Sequence, residues 1–346
     1  MSTVNVVSTA RAANAADAVR APRPGAGGWL SWHLHVPFAA AGRIDGLVAG
    51  PLAELVAALR ADGAVDRWFF IRYWEGGPHL RLRLRPTGRC APDVLDAAVR
   101  ASFAGLAAAP DDPASVAAYL GRISRLARAS GRADPSVDPA LAGTVRAPGV
   151  HPAEYLPEYG RYGSGAALDA AEAVFEHSSD LAVRVARAAP DELRRRLVGL
   201  EAIAKLADGV ARSGGDLDAQ LARYAAYWRR WAGSVTPPVF DTAAAERTAA
   251  RLAAALTGRG GVSVERLAAR GSAVGAWSAA AVDSLCPHPP AGPGPLTREG
   301  LAVSQTHMTL NRLGILVHDE YMLITALRAL RGADLAPGGR TDAPTR

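Results

Sequence analysis

The segment HLRLRLR, from His79 to Arg85, places one histidine and three arginines at every second position. Successive side chains of a β-strand point to opposite faces, so His79, Arg81 and Arg83 project to one side with Arg85, and three leucines project to the other. Guanidinium groups spaced roughly 7 Å apart repel one another, and an anion, a carboxylate partner or a polar channel relieves that repulsion. The pattern predicts a face that binds an anionic ligand, with a solvated strand face as the alternative. Arg72, on the preceding strand, joins this face if the hairpin register permits.

A second candidate site is LAVSQTHMTLNRLGI, residues 301–315. On a helix, Ser304, His307 and Asn311 fall at i, i+3 and i+7 and form one stripe within about 60°. A hydroxyl, an imidazole and an amide on one face can hold a polar substrate and move a proton. Satisfied buried polar side chains are the alternative interpretation. We expect Tyr321, one helix later, to approach this stripe through an αα turn.

The segment YLPEYGRYGSG, residues 155–165, is the third candidate. Arg161 is a candidate ligand-binding residue, whereas Glu158 is interpreted as forming a local ion pair. The pair of glycines around Ser164 resembles a dinucleotide loop, but Leu168 stands where the third glycine is required and no strand precedes the segment. Nucleotide binding is therefore excluded.

The elements that position these residues begin with a strand at residues 29–38, where apolar residues alternate with Ser31, His33 and His35. A helix with a kink or broken turn at Pro51 is predicted over residues 44–59, and residues 66–85 predict a β-hairpin around Glu75-Gly76-Gly77-Pro78. This β-α-β-β order indicates an α+β fold with a small, mostly antiparallel, ferredoxin-like sheet. If the first strand neighbours the hairpin, its two histidines lie beside the arginine face, which is formed by His79, Arg81, Arg83 and Arg85.

Helical patterns dominate from about residue 92, separated by proline and glycine clusters at residues 133–152 and 287–296. One helical segment carries four aromatic residues at i, i+3, i+4 and i+7, a stripe that is typical of a packed core: Tyr224, Tyr227, Trp228 and Trp231. We predict a flexible tail over residues 1–28, one domain over residues 29–331 and a second flexible tail over residues 332–346.

Composition limits the classes of protein that fit. The chain has 346 residues, 49% of them hydrophobic, which is enough for a sizeable core and excludes a small disulfide-stapled protein. Cys90 and Cys286 form no CxxC motif, so neither a disulfide framework nor a zinc ribbon is supported. The net charge of +6 comes without lysine clusters, because Lys205 is the only lysine, which argues against a nucleic-acid binder. With no run of about 18 apolar residues, we expect a cytoplasmic protein that does not enter a membrane.

Three motifs in this order resemble the C-terminal domain of class I lantibiotic dehydratases and the stand-alone proteins of thiopeptide biosynthesis. They are WFFIRYWEGGPHLRLRLR, YLPEYGRYG followed by AAEAVFEHSSDLA, and SQTHMTLNRLGI, and the resemblance extends from about residue 29 to residue 331. It implies an enzyme that acts on a leader-bearing ribosomal peptide, with other enzymes of the pathway as partners. It implies neither a metal nor an organic cofactor.

The resemblance implies one of two activities. An elimination enzyme removes glutamate from glutamylated Ser or Thr, and Arg72, Arg81, Arg83, Arg161 and His307 match the positions that would hold the carboxylate and relay the proton. A pyridine synthase joins two dehydroalanines in a formal aza-[4+2] cycloaddition and expels water and the leader peptide. Ser304, His307, Asn311 and Tyr321 suit its proton transfers, and His79 and the arginines would bind the peptide. We favour the pyridine synthase; elimination and a non-catalytic peptide escort are the alternatives.

Overall fold

The computed structural model describes residues 25, 28–108, 112–133, 145–212, 214–258, 267, 273–285 and 297–334. These residues form two compact units. The first comprises the chain up to Tyr159 together with Phe175–Ala189, and the second comprises Gly160–Val174 and the chain from Pro190 onward. The loop at residues 287–296, the C-terminal tail beyond residue 334 and the N-terminal tail apart from residues 25 and 28 lie outside the described residues.

The first unit contains a four-stranded antiparallel sheet with the order β2-β3-β1-β4. The strands are β1 (Leu30–His35), β2 (Val65–Tyr73), β3 (His79–Pro86) and β4 (Gly149–Ala153). This order and connectivity are those of a ferredoxin-like β-α-β-β-α-β layer, so the predicted α+β class is confirmed. Strand β4 was not anticipated, since it lies in a segment whose prolines and glycines suggested a loop.

The register gives the sheet one polar face and one apolar face. His35 stands opposite His79 and His33 stands opposite Arg81, so strand β1 does neighbour the arginine strand, a point that the sequence left open. The leucines of β3 pair with Leu30, Trp32 and Leu34 of β1 on the other face. Opposed residues of an antiparallel pair share a face, and the alternating sequence therefore separates charge from core.

Helix α3 (Pro92–Ser102) is bonded to the apolar face of the sheet. The leucines at positions 80, 82 and 84 are completely buried there, and each contributes roughly 1.5–3 kcal/mol through the hydrophobic effect. Trp32 is buried too, and its indole N–H donates to the Asp96 carboxylate at 2.8 Å. Asp96 also pairs with Arg100, so the buried carboxylate keeps two donors.

The helix between β1 and β2 is interrupted near Pro51, as its sequence predicts. It consists of α1 (Ile44–Leu47), a wide π-turn at Val48–Leu52 and α2 (Ala53–Ala61). Proline supplies no backbone N–H and crowds the preceding turn, so the turn widens instead of the helix ending. The first unit also contains α4 (Pro113–Ala133).

The outer edge of strand β2 is covered by helix α6 (Ala166–Arg187), whose residues from Phe175 onward belong to the first unit. The backbone N–H of Phe70 donates to the Ser179 hydroxyl at 3.2 Å, which satisfies a donor that an edge strand would leave open. Asp180 on the same helix accepts hydrogen bonds from Trp68 and Arg60.

The second unit is helical over the residues described. Two of its helices begin at side-chain caps: Asp216 accepts from the Ala219 N–H, and Thr297 accepts from the Gly300 N–H. None of the described helices is long and apolar enough to cross a membrane. The helices are α5 (Tyr159–Tyr162, which starts at the boundary of the first unit), α7 (Glu192–Arg212), α8 (Leu217–Ala232), α9 (Thr242–Gly258), α10 (Ala273–Leu285), α11 (Arg298–Arg312) and α12 (Val317–Asp334).

Candidate active site

A cluster of three histidine rings occupies the polar face of the sheet. His35 stacks on His79 with ring centroids 4.3 Å apart, and His33 stacks on His79 at 4.8 Å. The strands supply this arrangement directly, because His33 and His35 are two residues apart on β1 and His79 lies across from His35 on β3. His79 fixes its own tautomer, since its Nδ1 donates to the Gly77 carbonyl at 2.8 Å and Nε2 is left as an acceptor.

Burial keeps this histidine cluster uncharged at neutral pH. Burial, with Arg81 and Arg83 nearby, lowers the pKa of His33 from 6.5 to about 3. Burial, assisted by His151, lowers the pKa of His35 to about 4. Burial also lowers the pKa of His79 far below its usual range. Each imidazole is therefore a neutral donor and acceptor.

The histidine cluster has the ligand count of a metal site but not its electrostatics. The nitrogens that the three rings can offer lie within 4.8 Å of one another. However, Arg81 donates through Nε to the His79 Nε2 at 3.3 Å, the nitrogen that a metal would require. With Arg83 also close to His33, a divalent cation would meet two guanidinium groups, so this face suits an anion or a neutral polar group better.

Two of the three arginines on this face, Arg81 and Arg83, differ in their surroundings. The Arg81 guanidinium lies 3.4 Å from the centroid of the Tyr73 ring and bonds to Glu75 at 3.2 Å. Arg83 is buried, and its guanidinium lies 5.4 Å from the centroid of the Phe69 ring and 5.2 Å from that of Tyr155. Burial lowers the pKa of Arg83 to about 10, and the side chain remains a cation at neutral pH.

Arg72 does not join this face. It stands opposite Leu80 in the hairpin register, whereas the arginine face carries His79 and Arg81. Its guanidinium pairs with Asp45 of helix α1 at 2.5 Å. The sequence could not fix this point, because a shift of one residue in the register moves every side chain of a strand to the other side.

In the second unit, helix α11 carries the predicted stripe. Ser304 is buried, and its hydroxyl bonds to the Tyr162 hydroxyl of helix α5 at 2.7 Å. Asn311 is half-buried one turn beyond His307 on the same helix. Arg161 is half-buried and directly precedes Tyr162 on α5.

His307 has a buried carboxylate as its partner. Its Nδ1 lies 2.8 Å from Oε2 of Glu320, a side chain with no exposed surface in the first turn of helix α12. The other carboxylate oxygen, Oε1, accepts from the Tyr224 hydroxyl and, at 2.8 Å, from the Trp228 indole N–H. About a quarter of the His307 side chain is exposed, at 26%. The imidazole is therefore accessible on one side and hydrogen-bonded on the other.

Tyr321 contacts partners other than those expected. Its hydroxyl donates to Glu246 of helix α9 at 2.5 Å and accepts from Arg229 of helix α8 at 3.0 Å. Burial, reinforced by Glu246, raises the pKa of Tyr321 above its usual value. The residue that reaches the stripe is its neighbour Glu320, because adjacent positions of a helix point about 100° apart.

Sequence reasoning missed the residues that support His307. The aromatic stripe predicts a core face, which is wrong for the exposed Tyr227. Tyr224 and Trp228 are buried as predicted, but their polar atoms donate to Glu320. One signal was available, since an O–H and an N–H four residues apart on a buried helix face require an acceptor. A glutamate in the first turn of an apolar helix is such an acceptor.

These contacts define what the side chains can do chemically. His307 can accept or donate a proton at Nε2, and the Ser304–Tyr162 pair can bind a carbonyl or an N–H group. Tyr321 remains a neutral hydroxyl at neutral pH. The arginine face in the first unit can hold a carboxylate or a chain of peptide carbonyls.

Comparison with solved structures shows the fold. This chain is similar to the solved structure "Pyridine synthase, TbtD, from thiomuracin biosynthesis", with a TM-score of 0.64 and 19% sequence identity. The match covers 89% of this chain and 98% of that chain. It is similar to TsrL over 91% and 99% of the two chains, with a TM-score of 0.51 and 16% identity. The tRNA-dependent lantibiotic dehydratase MibB from Microbispora sp. 107891 matches at a TM-score of 0.46 and 23% identity, over 89% of this chain and 28% of that one.

No curated protein matches this sequence. The model of the family "Lantibiotic biosynthesis dehydratase C-term" matches residues 29–330, which is most of the chain. The expected resemblance is thereby confirmed, and this chain belongs to the family of lantibiotic biosynthesis dehydratase C-terminal domains.

Proposed function

We propose that this chain is a pyridine synthase of thiopeptide biosynthesis and that residues 29–331 act as one catalytic domain. Its substrate is a leader-bearing precursor peptide that contains azoles and at least two dehydroalanines, made by the ribosome and modified in the cytoplasm. The observation that carries this proposal is the similarity in fold to a pyridine synthase along 98% of that protein's chain. The family match over residues 29–330 supports an enzyme of this class of peptides.

The reaction requires few charged groups. An amide N–H next to one dehydroalanine moves its proton to the carbonyl oxygen, which creates a 2-azadiene. The alkene of the other dehydroalanine adds across that azadiene, so two carbon–carbon bonds close a six-membered ring. Loss of water and of the leader peptide as its amide then makes the ring aromatic.

We assign the proton transfers to the second unit. His307 takes the amide proton at Nε2 and returns a proton to a departing group. Ser304 and Asn311 hold the amide by hydrogen bonds, and Arg161 binds the peptide nearby on helix α5. Tyr321 is assigned no proton transfer, because it is buried and its O–H donates to Glu246. Proximity of the two alkenes supplies the remaining rate enhancement.

We assign peptide binding to the arginine face of the first unit, through Arg81, Arg83 and His79. Arg72 has no part in this assignment, since it lies on the other face and pairs with Asp45. Cationic side chains beside neutral imidazoles can bind peptide carbonyls and acidic residues of the leader.

The same face supports a second candidate function, the elimination of glutamate from glutamylated Ser or Thr. Arg81 and Arg83 lie two residues apart on one face of strand β3 and could stabilise a departing carboxylate. The chemistry differs from pyridine formation in its product, because glutamate is released and the leader stays attached.

One experiment separates these functions. The purified chain is incubated with a dehydrated, azole-bearing precursor, and separately with a glutamylated precursor, and the products are read by mass spectrometry. Release of the leader amide together with loss of water from the first substrate supports the pyridine synthase, and His307→Ala should abolish it. Release of glutamate from the second substrate alone overturns the proposal in favour of elimination. Binding of either peptide without a mass change indicates an escort.

A further inference from the structure

The Glu320 carboxylate is surrounded by three donors and has no contact with solvent. Tyr224 and Trp228 of helix α8 donate to Oε1, and His307 of helix α11 faces Oε2. Its place in the first turn of helix α12 adds the positive end of the helix dipole. A carboxylate in this place accepts hydrogen bonds from its neighbours and donates none.

Trp228 determines how Glu320 is oriented. An indole N–H can only donate, so the oxygen 2.8 Å away must be an acceptor. The Tyr224 hydroxyl shares that oxygen, and burial raises its pKa well above the usual value, so it remains a donor. Oε2 is therefore directed at His307, and the imidazole nitrogen facing it must carry a proton.

We propose that Glu320 is a positioning residue that holds His307 as its Nδ1–H tautomer and so keeps Nε2 free to accept a proton. This inference rests on the proposed function only where it invokes turnover; the tautomer itself follows from the contacts. Glu320 acts through His307 and needs no contact with the substrate.

The amide isostere provides a specific test of this inference. In Glu320→Gln, the amide oxygen must stay on the side of Trp228 and Tyr224, because Trp228 N–H would otherwise lose its acceptor. The amide NH2 group then faces Nδ1 of His307 and donates to it. The imidazole must change to its Nε2–H tautomer, and the nitrogen that took a proton becomes a donor.

The experiment is a long-range proton–nitrogen NMR correlation of the full-length chain at a pH where imidazoles are neutral. The His307 signals among the eight histidines are identified by their loss in His307→Ala. We expect an unprotonated Nε2 in the wild type and a protonated Nε2 in Glu320→Gln. For pyridine formation we expect kcat to fall on the order of a hundredfold or more in Glu320→Gln, with little change in KM. A wild-type tautomer in Glu320→Gln, or a protonated Nε2 in the wild type, overturns the inference.

Two further variants separate positioning from a loss of structure. In Trp228→Phe/Glu320→Gln, the amide can turn its oxygen towards His307, because the Tyr224 hydroxyl, unlike an indole, can also accept from the NH2 group. The wild-type tautomer and part of the activity should therefore return. Asp319→Asn removes a neighbouring carboxylate that pairs with Arg196, and it should leave the tautomer unchanged. A double variant that keeps the swapped tautomer contradicts the proposed role of Trp228 and with it the inference.

The proposed function and this inference can fail independently. A wild-type chain that forms no pyridine but shows the tautomer exchange refutes the function and leaves the assignment of Glu320 to His307 intact. A chain that forms pyridine at the same rate in the wild type and in Glu320→Gln refutes the inference and leaves the function intact.

Discussion

Acid should destabilise the sheet of the first unit through its histidine cluster, and His35 is the residue that tests this best. Burial lowers its pKa from 6.5 to about 4. The folded chain therefore excludes a proton that the unfolded chain binds. His35 does not affect the free energy of unfolding well above pH 6.5. That free energy decreases as the pH falls below 6.5, and the decrease due to His35 ends near pH 4, the pKa of His35 in the folded chain.

The magnitude follows from the two pKa values. At pH 5 the unfolded imidazole is protonated and the folded one is mostly not, a difference of about 1.5 pH units at about 1.4 kcal/mol each. His35 thus lowers the free energy of unfolding by about 2 kcal/mol when the pH falls from 7 to 5. His151, Arg146 and Arg81 all oppose its protonation and contribute to this cost.

His35→Phe is the perturbation. Neither ring nitrogen of His35 has a hydrogen-bond partner among the described residues, and the side chain is 1% exposed. An apolar ring should therefore be tolerated to within about 1 kcal/mol at pH 7. Between pH 7 and pH 5 the variant should gain about 2 kcal/mol of stability relative to the wild type.

The assay is hydrogen exchange of the β1 and β3 amides by mass spectrometry, corrected for the intrinsic pH dependence of exchange. His177→Gln is the matched control, since His177 is exposed on helix α6, and it should retain the wild-type pH dependence. If His35→Phe and the wild type lose equal stability from pH 7 to pH 5, the argument from burial is wrong.

Three other changes test the fold and the site. Gly209→Ala should cost about 1–3 kcal/mol, because a Cβ there would lie 2.3 Å from Cγ2 of Val282; urea denaturation measures it, and Val282→Ala should restore most of the loss. Arg81→Ala should weaken binding of the precursor peptide, and raised salt should mimic that loss; unchanged affinity at every ionic strength in fluorescence anisotropy would count against the arginine face. Tyr321→Phe should lower the free energy of unfolding by about 1 kcal/mol, since its hydroxyl bonds to Glu246 and Arg229, and should leave turnover unchanged; a tenfold slower rate in the mass assay would contradict this placement.

Local pattern was enough to predict most of the elements. Alternation from His79 to Arg85 specified a strand with a charged side and an apolar side, and Pro51 marked the break in the first helix. The spacing of Ser304 and His307 placed both on helix α11. Such features depend only on the periods of strand and helix, which neighbouring residues determine.

The tertiary structure decided which side chains meet. The pairing of β2 with β3 placed Arg72 opposite Leu80. The sequence of one strand does not determine this register, and a shift of one residue would move Arg72 to the other face. The packing of helices α8, α11 and α12 brought Glu320 to His307 and directed Tyr321 to Glu246 instead. Burial then made the histidine cluster neutral, because desolvation of an imidazole depends on everything that surrounds it. Sequence alone thus determined which chemical groups are available, and long-range packing determined their partners and their charge.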